Sequence, residues 1–138
     1  MNWLIKTLLF GNRMPRVIDP KTHKSLDFLT TAAFFMIAGA FWGKHRRAAA
    51  TALINGGTVL AATMLTDYDG DGRRPISFAK HGRIDVTQAT MASSLPVILG
   101  FSNHYSASIF EAQAMIETLV VAATDWEAAG RSNEIRAA

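Results

Sequence analysis

The chain of 138 residues contains no cysteine. This excludes a disulfide framework, a thiolate metal site and a cysteine nucleophile. There is no phosphate-binding glycine loop, no nucleophile elbow and no serine, histidine and carboxylate at catalytic spacing. No enzymatic activity is therefore expected. Charge is also sparse, at 18% of residues, and it is absent from the 19 residues from Ala48 to Thr66. A helix of that length rises nearly 30 Å, about the thickness of the hydrocarbon core of a bilayer. Lys44, Arg46 and Arg47 close one end of this run, and Asp67 and Asp69 the other.

What charge there is brackets the apolar segments. The net charge of +3 does not signal a nucleic-acid partner, because the basic residues form no continuous stripe and no aromatic residues interleave with them. Contact with anionic lipid headgroups fits their placement better. Residues 2–10 are too short to span and read as an interfacial helix with Trp3 at headgroup level. They lack the cleavage site of a secretory signal and are expected to be retained. Turns at Met14-Pro15 and Asp19-Pro20 follow.

Four spans are expected. The first contains 16 uncharged residues, from Phe28 to Gly43, and the second is the Ala48–Thr66 run. Gly39 and Gly43, and Ala48, Ala52 and Gly56, place small residues four apart. Such faces let helices approach closely where lipid supplies no hydrophobic drive. The third span is expected to start at Asp85, with Gln88 completing a capping box, and to be kinked by Pro96. The fourth is expected to start at Ser108, with Glu111 in its capping box, and to run to Ala129 before a stop at Gly130. The fold class is thus all-α, an antiparallel four-helix transmembrane bundle. It divides into an interfacial helix and basic connector (1–24), a membrane domain (25–130) and a polar tail (131–138). No internal repeat stands out. Of the 14 basic side chains, 11 fall on the side that holds both termini and the middle loop, which places that side in the cytoplasm.

The candidate sites are few. Asp67, Asp69 and Asp71, followed by Gly72, match the first half of a calcium-binding loop. Phe78 then stands where the bidentate glutamate belongs, so the rival reading is a turn whose carboxylates pair with Arg73, Arg74 and Arg83. Ca2+ at residues 67–72 is the one ion considered, and no other cofactor is expected. Glu117, with Gln113 one turn before it, lies within the fourth span and needs an interior partner, for which Asn55 is the candidate. The histidines, His23, His45, His81 and His104, show no pair with metal-ligand spacing. Ligation of a haem or chlorin by one of them is the minor alternative.

Thr66-Asp67-Tyr68, then Ile76-Ser77-Phe78, His81 and Asp85, then Pro96 with Gly100-Phe101, resemble a pattern in small four-span bacterial membrane proteins related to the SPW-repeat family. The resemblance covers residues 50–130 and departs at the defining tripeptide, here Leu95-Pro96-Val97. It implies the fold and a bacterial inner-membrane location, and it transfers no activity. The expected role is a non-catalytic structural or accessory subunit of a membrane assembly, in contact with lipid and with other subunits or copies of itself. The alternative is a cation-handling protein using the Asp-rich loop or the Glu117 interior.

Overall fold

The computed structural model describes residues 14–138; the expected interfacial helix at 2–10 lies outside them. The protein is mainly helical. Helix α1 (Pro20–Phe41) starts earlier than expected. Asp19 and Pro20 form no independent turn: the Asp19 carboxylate accepts from Thr22 N at 2.7 Å, and Pro20 takes the first helical position, where a missing N–H costs nothing. Helix α2 (Arg46–Leu65) is capped by His45, whose Nδ1 accepts from Ala48 N. These two helices are long and apolar enough to cross a membrane.

Strand β1 (Thr66–Asp67) pairs in parallel with β2 (Ile76–Ser77). Helix α3 (Phe78–Ile98) is capped by Ser77, so Asp85 sits two turns inside the helix and does not start it. Helix α4 (Ala107–Ala123) also departs from expectation. Ser108 donates to Tyr105 O instead of forming a capping box, and the helix ends before an extended Thr124. The last helix, α5 (Ala128–Ala137), runs through Gly130 and takes in most of the expected polar tail.

An internal repeat becomes visible in the fold. Residues at one offset of 58 positions (23 to 81, 27 to 85, 66 to 124) hold equivalent places. Ile18 bridges Thr124 in parallel as Ile76 bridges Thr66. Asp19 and Ser77 are both N-caps, and Tyr68 and Trp126 follow matching Thr-Asp pairs. The two halves differ where they fill the shared core. Phe34 on α1 corresponds to Ala92 on α3, and Ala52 on α2 to Phe110 on α4. Phe34 and Phe110 stack at 6.2 Å, so the exchange of large for small keeps the interior filled.

The remaining interior is built from small residues. Ala48, Ala49, Ala52, Thr51 and Asn55 are fully buried. At Gly56 a Cβ would come within 2.9 Å of Phe35 Cε1, which places this glycine at the α1–α2 contact. Gly39 and Gly43 do not take the packing role expected of them, since a Cβ at either meets nothing within 4 Å. Large apolar side chains point outward instead, among them Leu29, Met36, Ile98 and Met115.

Candidate metal centre

Spacing of i,i+4 puts His23 and Asp27 on one face of α1, and His81 and Asp85 on one face of α3. The repeat brings the two faces together. Both histidines are 1% exposed, and Asp27 and Asp85 are 8% and 7% exposed. His23 Nε2 lies 3.0 Å from Asp85 Oδ2 and 3.4 Å from Asp27 Oδ1. His81 Nε2 lies 3.1 Å from Asp27 Oδ2 and 3.2 Å from Asp85 Oδ1. Each carboxylate thus faces both imidazoles.

The outer ring atoms fix the tautomers. His23 Nδ1 is 2.9 Å from Thr124 Oγ1, and His81 Nδ1 is 2.7 Å from Thr66 Oγ1. Each threonine hydroxyl donates to a carbonyl one helical turn back, Val120 O and Ala62 O, both at 2.6 Å. A carbonyl only accepts, so the hydroxyl proton is committed there and the threonine oxygen accepts from the imidazole Nδ1–H. Each Nε2 is then the atom left to face the carboxylates. Among the described residues His81 Nε2 has no hydrogen-bond partner although carboxylate oxygens lie 3.1 and 3.2 Å away, whereas His23 Nε2 meets hydrogen-bond geometry to Asp85 Oδ2. An ion between the carboxylates would give His81 Nε2 the partner it lacks.

The donor set fits a divalent transition metal. Ligand bonds of about 2.0–2.2 Å put neighbouring donors about 2.8–3.6 Å apart in octahedral or tetrahedral geometry. The four histidine–aspartate separations, 3.0 to 3.4 Å, involve both oxygens of each carboxylate and fall in that range, and one donor atom from each of the four residues can be taken so that all four lie within 4.8 Å of one another. Two buried carboxylates need compensating positive charge, which such an ion supplies. Imidazole with carboxylate suits zinc, iron, manganese or cobalt better than calcium, which takes oxygen ligands.

The surroundings are equally specific. Tyr68 Oη donates to Asp27 Oδ2 at 2.6 Å, and burial, with the Asp27 charge beside it, pushes the pKa of this phenol well above its usual range, keeping it protonated and a donor. Trp126 and Phe78 cover the His23 ring at centroid distances of 4.8 and 5.5 Å. Gly82 makes room for Trp126, since a Cβ there would stand 2.9 Å from the indole Cδ2.

Of the residues singled out in the sequence, His23 and His81 belong to the cluster, Gln113 and Glu117 border it, and the Asp-rich loop and Asn55 serve other partners. Asp67 accepts from Asp71 N and from Gly72 N at 3.2 and 2.7 Å, and Asp71 accepts from Arg73 N and pairs with its guanidinium. Asp67 and Asp71 therefore serve the loop's own backbone, and Asp69 joins no metal-ligand group among the described residues. Asn55 is not the partner of Glu117. It accepts from Gln88 Nε2 at 2.6 Å and donates to Thr51 O. Among the described residues Glu117 Oε2 is buried without a partner and, with Gln113, lines a cavity of about 20 Å3 that also touches His23, Asp27 and Asp85. His45 and His104 lie apart from the cluster, their rings tilted against each other with centroids 4.2 Å apart.

The available signal was the doubled His-x3-Asp, each copy shortly after a helix cap, with the doubled Thr-Asp-aromatic. Spacing between histidines alone misses it, because the ligands come from two helices that only the repeat brings together. Comparisons with protein-family models, with curated proteins and with solved structures give no match to this chain.

Proposed function

We propose that this protein crosses the membrane four times and holds one resident divalent transition-metal ion between the two halves of its repeat, ligated by His23, Asp27, His81 and Asp85. The observation that carries the reading is the convergence of four buried donors with both Nδ1 atoms anchored by threonine. Burial of all four donors favours a resident ion over one in transit. Its mechanical role would be to tie α1 to α3, the two helices that supply the ligands.

The membrane reading rests on the two candidate spans and on the distribution of bulk. Outward-facing Val97, Ile98, Ile116 and Leu119 extend the apolar exterior over α3 and α4, while the interior is alanine, threonine and phenylalanine. Lipid would solvate that exterior, and small residues would pack the interior. We retain with it a bacterial inner-membrane location with both termini cytoplasmic, kinship with the SPW-repeat-like proteins, and the role of a non-catalytic accessory subunit.

Elemental analysis of the protein purified in mild detergent tests the metal reading. The expected result is close to one transition-metal ion per chain, lost in His81→Ala and Asp85→Asn, with a lower melting temperature after chelation. Metal-free protein whose melting responds neither to chelator nor to added zinc, iron, manganese or cobalt would overturn it, and would leave the cluster as a proton-linked His–Asp pair of pairs.

A further inference from the structure

The two halves match at the ligands but differ just below them, and that difference points to an open coordination position. Around Asp27 the surroundings are closed, because Tyr68 donates to Oδ2. The residue equivalent to Tyr68 is Trp126, whose indole N–H goes to Val121 O, so Asp85 receives no donor from that position and its Oδ2 faces His23 Nε2 at 3.0 Å. One turn and more below the ligands, Asn55 of the first half is satisfied by Gln88. Its counterpart Gln113 instead lines the small cavity beneath the cluster. The position after it in the same series is Val59 in one half and Glu117 in the other. Both line this cavity, and only Glu117 brings a polar group, with Oε2 buried and unpartnered.

The cavity volume of about 20 Å3 decides what can fit. A water molecule needs about 10–15 Å3 of such space and two to four polar partners. A single water fits and a larger ligand does not. A carboxylate at this depth is costly unless something hydrogen-bonds to it. Glu117 does not belong to the four residues whose donor atoms lie close enough together to share one ion, so a direct bond to the metal is not the role assigned to it.

We propose that the ion carries one solvent ligand, seated in this cavity and hydrogen-bonded to Glu117. The proposal rests on the metal-centre reading. It makes the site an asymmetric one, with four protein ligands and one exchangeable oxygen ligand on the side of α4. Glu117 is a positioning residue that holds the solvent through its carboxylate oxygen.

Co(II) is the probe. Apoprotein in detergent is loaded with Co(II), bound metal is counted, and the low-temperature EPR line is recorded in ordinary and in 17O-enriched water. One Co(II) per chain with a line broadened by 17O is the expected wild-type result. Glu117→Leu should keep the bound Co(II) and lose the broadening, whereas Glu117→Gln should retain both. Bound Co(II) with no 17O broadening in the wild type overturns the solvent ligand while leaving the metal centre standing. Undiminished broadening in a Glu117→Leu protein that binds Co(II) overturns the assignment to Glu117. Failure of the wild type to bind Co(II) counts against the metal centre itself.

Discussion

Thr124→Val removes one hydroxyl and nearly nothing else in volume. The hydroxyl accepts from His23 Nδ1–H and donates to Val120 O, and Thr124 is fully buried. Two consequences follow. In metal-free protein, a buried imidazole N–H loses its acceptor, which costs about 1–3 kcal/mol of stability. In metal binding, loss of the group that orients a histidine ligand weakens affinity by roughly 10–100-fold, or about 1.4–2.7 kcal/mol. Thr66→Val should do the same through His81, because Thr66 Oγ1 stands 2.7 Å from His81 Nδ1 and donates to Ala62 O. The assay is competition for Zn2+ with a chromophoric chelator, with thermal melting in excess chelator as the measure of the apoprotein. Lowered melting with unchanged zinc affinity in both variants would refute the orienting role and reduce these threonines to hydrogen-bonded core.

Further outcomes follow from other parts of the molecule. Calcium should not raise the melting temperature, and Asp71→Asn should cost under about 1 kcal/mol, because the Asp71–Arg73 pair is solvent-screened; a calcium-dependent rise lost in Asp69→Asn plus Asp71→Asn would restore the loop as an ion site. Gly56→Val should destabilise by about 1–3 kcal/mol through overpacking against Phe34 and Phe35, while Gly39→Ala, in open space, should be neutral or slightly stabilising, as comparative melting will tell. The raised pKa of Tyr68 means that its contribution to stability is full below the ordinary phenol value of about 10 and declines as pH rises above it, when only the unfolded chain ionises. In a Tyr105→Phe background, tyrosinate absorbance should therefore appear together with unfolding; absorbance rising in folded protein near pH 10 would contradict the buried Tyr68–Asp27 bond.

Local features were the most legible in the sequence. The Ala48–Thr66 run and the Phe-rich run before it both lie in long helices, and Ala48, Ala52 and Gly56 share one face as their spacing indicates, a face that the fold turns inward. Helix starts were misread where two capping signals competed. Asp85-x-x-Gln88 has the form of a capping box, but Ser77 caps first and α3 is already formed when Asp85 is reached. The carboxylate thereby becomes free to turn inward. Gly39 and Gly43 failed as a packing pair because spacing reports a shared face and not which face is inside. The repeat is faint in the sequence because its core positions exchange large and small residues, as at Phe34 with Ala92 and Ala52 with Phe110, leaving only scattered identities such as Ile18 with Ile76, His23 with His81 and Thr66 with Thr124. The metal-ligand set is faint with it, since neither His-x3-Asp unit is a site until the other is opposite.

X-ray absorption at the edge of whatever metal co-purifies with the detergent-extracted protein tests the central claim most directly. The expected spectrum shows two imidazole nitrogens and at least two oxygens in the first shell, at about 2.0–2.2 Å, with no sulfur. A first shell of oxygen alone, or a spectrum unchanged when His23 and His81 are replaced by alanine, would contradict a metal centre built from His23, Asp27, His81 and Asp85.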